Sequence, residues 1–126
     1  MRSSEAVPLL IYGNDWPTSD GTPVRDFVHL SDLVDALVGS LNYLENPGHE
    51  IINLGTAKGS TVLEVTQAAK VAFKREINYK FAPRRAGDSF ALVTSNNKAK
   101  RILNWQPTKN LINILEDASK ELTSNH

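Results

Sequence analysis

The sequence has no cysteine. That excludes disulfide bonds and thiolate chemistry, and it is compatible with a reducing compartment. It has no net charge either: 14 Lys and Arg balance 14 Asp and Glu. Without a strong positive field, neither nucleic acid nor a membrane surface is an expected partner. No apolar run approaches the roughly 18 residues that a bilayer span requires. The start, Met1-Arg2-Ser3-Ser4-Glu5, lacks the apolar core of a secretory signal. A cytoplasmic location is the expectation. The three histidines, His29, His49 and His126, lie far apart and have no metal-ligand spacing. Asp15, Asp20, Asp26, Asp32 and Asp35 cluster in sequence but fit no calcium loop. No serine sits in a nucleophile-elbow pattern. No metal is expected.

What is present suits one domain. The chain has 126 residues, of which 40% are hydrophobic. A chain of that length buries roughly two-thirds of its extended surface on folding, enough for a single core. Pro8 to Tyr12 reads as a strand ended by Gly13, and Asn14 to Pro23 as a loop with a turn at Asp20-Gly21. Val24 to Leu30 reads as an extended segment. Ser31 is the expected N-cap of a helix, with Asp32 in its first turn. Leu33, Val34, Leu37, Val38, Leu41 and Leu44 follow at helical spacing and predict a buried face. Pro47-Gly48 stops that helix. Glu50 to Leu54 reads as a second strand.

Thr61 with Glu64 fits a capping box, followed by a face of Val62, Val65, Ala69, Ala72 and Phe73. Ile77 to Ala82 alternates as a half-buried strand does. Asn96 to Asn104 predicts a short helix. Leu111, Ile112, Leu115, Ala118 and Leu122 predict a last one. Few, short strands between helices give an α/β class with an α+β-like character. So few strands suggest that something else completes the sheet.

Arg25 is the sharpest site candidate. It stands among apolar neighbours, and its planar fork suits a phosphate or carboxylate. On spacing alone, a structural ion pair with Asp26 or Asp32 is the better account. Arg84-Arg85 followed by Gly87-Asp88 fits a diphosphate and a ribose, or a solvated loop. Gly55 to Gly59 lies between a strand and a helix, as a phosphate loop does. It lacks both the Walker spacing and G-x-G-x-x-G, so an ordinary turn is the better account.

Four blocks carry a family resemblance: Tyr12 to Leu33, with its D-G-T-x-V-R-D-F core; Ile52 to Thr56 with Gly59 and Val62-Leu63; Phe81 to Asp88; and Leu103-Asn104-Trp105. Together they resemble the C-terminal portion of the UDP-glucose (UDP-galactose) 4-epimerases, extended short-chain dehydrogenases. The resemblance runs from about Leu9 to Leu122. It implies that Arg25 and Arg85 hold a UDP diphosphate and that Asp88 binds the ribose hydroxyls. Tyr12 and Val62 would flank the uridine, and Phe27 would border the nucleotide. Leu92 stands where the family commonly has an aromatic residue, and Ala86 where it often has an acid.

In that family an N-terminal Rossmann half holds NAD and supplies a Tyr-x-x-x-Lys pair that moves the proton. These 126 residues contain neither the glycine fingerprint nor the pair: no lysine lies four positions after Tyr12, Tyr43 or Tyr79. The resemblance therefore implies one substrate-binding domain, residues 1–126, without its NAD-binding half. It would hold a UDP-sugar of galactose metabolism, carry no cofactor itself, and not epimerise alone. The alternative is a free-standing noncatalytic module for a UDP-sugar or a protein. It would self-associate as a homodimer through an exposed sheet edge, Met1 lying just before the matched region.

Overall fold

The structure, a computed structural model, describes residues 7–124. In chain order the elements are β1 (Leu9–Tyr12), β2 (Val24–Arg25), α1 (Leu30–Tyr43), β3 (Ser60–Thr61), α2 (Val62–Phe73), β4 (Tyr79–Ala82), β5 (Ala91–Leu92), α3 (Asn97–Leu103) and α4 (Leu111–Ser124). The α/β class with short strands is as expected. β1 pairs in parallel with β4, Leu9 opposite Tyr79 and Tyr12 opposite Ala82. β2 lies between β3, antiparallel, and β5, parallel. Both small sheets thus carry their strand ends to one region, where β1 and β2 stop.

Local chemistry explains most element boundaries. The Thr61 capping box is formed: Thr61 Oγ1 accepts from the Glu64 amide at 3.0 Å, and Glu64 Oε1 accepts from the Thr61 amide at 3.1 Å. α1 departs from expectation. It starts at Leu30, and its N-cap is His29 rather than Ser31. The imidazole Nδ1 accepts from the Ser31 amide at 2.9 Å. That bond leaves Nε2 as the protonated nitrogen, 2.7 Å from Asp117 Oδ2 on α4. Hydrogen bonding from His29 holds the Asp117 carboxyl below its usual range.

The core is small. Ala36 of α1, Ala99 of α3 and Trp105 are buried together, with Val28, Ile52, Leu54 and Leu103 packed against them. The Trp105 indole donates to the carbonyl of Asp32 at 2.7 Å. The Asp32 carboxylate accepts from the amides of Thr108 and Lys109 and from Thr108 Oγ1, at 3.0–3.1 Å. Burial alone would raise this carboxyl, but those bonds and the nearby His29 together hold it below its ordinary range. Asp32 therefore fixes the approach to α4 as well as standing in the first turn of α1.

Two expectations fail for one physical reason. The face of α1 predicted to be buried is largely open: Leu37 is 63% exposed, Leu41 63% and Leu44 72%. Glu50 to Leu54 forms no strand, and Ile51 is 73% exposed. An apolar face and a strand each need a partner surface. Among the described residues nothing covers the first or pairs with the second. The last helix shows a milder case. α4 packs on α2, with Leu111 and Leu115 half-buried while Ile112 and Leu122 stay exposed.

Candidate functional site: a two-arginine cleft

Tyr12, Arg25, Val62, Arg85 and Asp88 line one cleft of about 300 Å³. They come from four places: the end of β1, β2, the start of α2 and the loop after β4. Phe27 is not among them. It lines a separate cleft of about 490 Å³, beside the loop at Thr56–Ser60 and the Gln106–Leu111 segment. Five of the six residues selected from sequence thus meet, and the sixth faces elsewhere.

Neither acid proposed as a structural partner for Arg25 is available to it. Arg25 Nη1 donates to the carbonyls of Val24, at 2.8 Å, and Ser89, at 3.1 Å. Among the described residues no carboxylate lies within ion-pair distance of it. Asp32 is committed to Thr108 and Lys109, as above. Asp26 accepts from the amides of Thr56, Ala57 and Thr94, at 3.0–3.2 Å, and from Thr56 Oγ1 at 2.5 Å. Arg25 therefore reaches the cleft held by two carbonyls, with its charge uncompensated by a carboxylate. A guanidinium in that state suits an anionic ligand.

Arg85 is held differently. Its Nε donates to Asp88 Oδ2 at 2.9 Å, and its guanidinium carbon lies 4.2 Å from the centre of the Tyr12 ring. The Arg85 side chain is 58% exposed and that of Asp88 20%. Asp88 fixes one edge of the fork and keeps acceptor capacity for a hydroxyl donor.

The remaining walls rest on Asp20, which sequence reasoning gave only to a turn. Its Oδ1 accepts from the Thr22 amide at 2.9 Å and Thr22 Oγ1 at 2.6 Å, and its Oδ2 from Thr61 Oγ1 at 2.5 Å. Burial pushes this carboxyl up, but the hydrogen bonds from Thr22 and Thr61 outweigh it and hold it low. The same residues fill the N-terminus of α2. The Val62 amide donates to Pro23 O at 2.9 Å and the Leu63 amide to Thr22 Oγ1 at 3.2 Å. Val62 is thereby set against the cleft.

This bonding also decides the Gly55–Gly59 turn. The Thr56 and Ala57 amides are spent on Asp26, and that of Lys58 on Thr56 Oγ1 at 3.1 Å. A Cβ at Gly55 would lie 2.8 Å from Asp26 Oδ2 and 2.6 Å from Thr94 Cβ. The glycine is there for close approach, and the turn is an ordinary one. The first amides of α2 are likewise taken: those of Val62, Leu63 and Glu64 donate to Pro23, Thr22 and Thr61. Among the described residues no group of three or more His, Cys, Asp or Glu is placed to hold a metal ion. No helix there is long and apolar enough to cross a membrane.

Residues 1–55 match the NAD dependent epimerase/dehydratase family. The chain is 44% identical over 109 residues to UDP-glucose 4-epimerase of Rhizobium meliloti strain 1021, covering 86% of this chain and 33% of that protein. Its fold matches the crystal structure of UDP-glucose 4-epimerase from Bifidobacterium longum in complex with NAD+ and UDP. There the TM-score is 0.89 and the identity 34%, over 96% of this chain and 36% of that one. Over most of its length this chain is thus similar to part of the UDP-glucose 4-epimerases. The similarity extends to the UDP-glucose 4-epimerase of Lacticaseibacillus casei, 41% identical over 119 residues and covering 94% of this chain and 36% of that protein. The chain spans about a third of the length of the curated epimerases it matches.

Two features of this chain had no usable signal in its sequence. One is Asp26 as the acceptor that ties Thr56 and Thr94, 30 and 68 positions away, to β2. The other is the packing of Arg84 on Trp16, with the guanidinium carbon 4.0 Å from the ring centre.

Proposed function

We propose that this chain holds the uridine diphosphate part of a UDP-sugar, as the C-terminal substrate-binding portion of a UDP-glucose 4-epimerase-type protein. The observation that carries the reading is the meeting of Arg25, uncompensated by a carboxylate, with Arg85, Asp88, Tyr12 and Val62 at one cleft. Two arginines supply the charge-assisted bonds a diphosphate needs. Asp88, an acceptor, takes the ribose hydroxyls. Tyr12 and Val62 give the base one flat and one apolar wall. Phe27, in the neighbouring cleft, borders the nucleotide from outside this group.

In this reading residues 1–126 form one substrate-binding domain, cytoplasmic and serving galactose metabolism. NAD and the tyrosine–lysine pair belong to a Rossmann half outside these residues. NAD would supply hydride transfer in the complete enzyme. The residues here bind and orient the nucleotide, and the chain alone does not turn a sugar over. Calorimetry with UDP on the purified chain tests this. Saturable binding that is markedly weakened in Arg85→Ala supports it, and no binding by the folded chain overturns nucleotide holding by this polypeptide. Turnover of UDP-galactose by the chain with added NAD would overturn the division of labour.

A second reading is favoured by the open face of α1, where Leu37, Leu41 and Leu44 are all more than half exposed. A free-standing, noncatalytic module would cover that face, and its sheet edges, by self-association. Light scattering separates the two: a dimer at micromolar concentration supports the module, and a monomer counts against it.

A further inference from the structure

Consecutive arginines, 84 and 85, each carry an aromatic ring and an acid. Arg85 lies over Tyr12 and pairs with Asp88. Arg84 lies over Trp16, its Nε 3.0 Å from Asp15 Oδ1 and its Nη2 2.8 Å from the Asp15 carbonyl. The Trp16 ring is tied to the Tyr12 backbone, since its indole donates to the Tyr12 carbonyl at 3.0 Å. Between them, Gly13 has φ +103°, and a Cβ there would run into Trp16 Nε1. The Gly13 amide donates to the Ala82 carbonyl at 2.8 Å, which ties the ends of β1 and β4. The Tyr12–Trp16 turn thus presents two ring faces to the loop that follows β4. Each face receives one arginine.

Arg84 does not line the two-arginine cleft. Its ion pair is well exposed, 43% for the arginine and 75% for the acid, so charge pairing alone contributes little. What the contact supplies is geometry. A fork on two Asp15 oxygens and a stack on Trp16 fix both the position and the plane of the guanidinium. That in turn fixes where the next residue leaves the backbone.

We propose that Arg84 is the positioning residue of the nucleotide cleft. Its lock on Trp16 and Asp15 holds the loop so that Arg85 and Asp88 stand against Tyr12 before any ligand arrives. This rests on the reading of the cleft as a nucleoside diphosphate site. Arg85 is more than half exposed and would otherwise have to be ordered on binding, which costs affinity. Arg84 acts through Arg85 and makes no ligand contact.

The test is a double-mutant cycle in the full chain, read by UDP calorimetry. Arg84→Ala weakens UDP binding by about tenfold, a loss typical of coupled neighbours. Arg84→Lys, which keeps the charge but loses the fork, weakens it nearly as much. In an Arg85→Ala background, replacing Arg84 changes affinity by less than about twofold. Full rescue by lysine, or additive losses, overturns the proposal, because either makes Arg84 a plain source of charge. A second measurement needs no ligand. The Arg85 Nε–H resonance, shifted by the Tyr12 ring, moves toward the free-arginine position in Arg84→Ala and in Asp15→Asn. An unmoved resonance in both overturns positioning. If the unsubstituted chain binds no UDP, the nucleotide reading fails, while this resonance still decides the role of Arg84.

Discussion

Arg85 stacks on Tyr12, its guanidinium carbon 4.2 Å from the ring centre, although 73 positions separate them. The contact joins the end of β1 to the loop after β4. It makes a basic residue and an aromatic one into adjoining walls of the same cleft. A stack of this kind contributes roughly 0.5–1 kcal/mol at an exposed site. It orients the arginine more than it stabilises the fold.

Asp26, by contrast, matters for stability. It takes up three backbone amides and a hydroxyl from the loop at Thr56 and from Thr94. Asp26→Ala leaves those donors in a half-buried place without their acceptor. The expected loss is about 2–3 kcal/mol of unfolding free energy, on the scale of unsatisfied buried donors. Urea denaturation of both proteins checks it. A loss below about 0.5 kcal/mol, the range of plain surface substitutions, contradicts this role.

Acid should destabilise the chain in a defined window. The Asp20 and Asp32 carboxyls both sit below the ordinary range when folded. Their contribution is therefore complete above the unfolded value of about 4, and it is lost as pH falls through the lower folded values. The urea midpoint is expected to vary little with these groups between pH 7 and 5, then to fall below about pH 4. Asp32→Asn is expected to be less stable at pH 7 and to show a shallower fall in acid. An equally steep fall in the variant contradicts the assignment.

The open face of α1 gives a prediction of little change. Leu37→Lys with Leu41→Lys is expected to change stability by less than about 1 kcal/mol, because neither side chain is buried. Denaturation checks the stability, and sedimentation before and after substitution checks self-association. A loss of several kcal/mol in a chain that sediments as a monomer before and after would show that this face is packed within the fold.

Much of the architecture was legible because it depends on near neighbours. The Thr61–Glu64 capping box spans three residues and formed as read. β1 and β4 fell within the two apolar segments ending at Tyr12 and Ala82. β3 and β5 were not legible, since two residues cannot show a period. Glu50–Leu54 carries a strand's composition, yet a strand exists only beside another. α1 shows the same limit: Leu37 and Leu41 carry an apolar period, and the period does not say whether a partner is present. At the site, Arg25, Arg85 and Asp88 stood out because charge beside apolar or glycine residues is locally visible. Trp16 beneath Arg84 did not, because that pairing crosses 68 positions.

The most direct test of nucleotide holding is titration of UDP into the folded chain, beside Arg85→Ala and uridine. Loss of a charge-assisted contact to phosphate is expected to weaken UDP by about ten- to a hundredfold. Uridine, which lacks phosphate, is expected to bind weakly and to be changed little by Arg85→Ala. UDP binding equal in both proteins, or absent from the unsubstituted chain shown to be folded, contradicts the account.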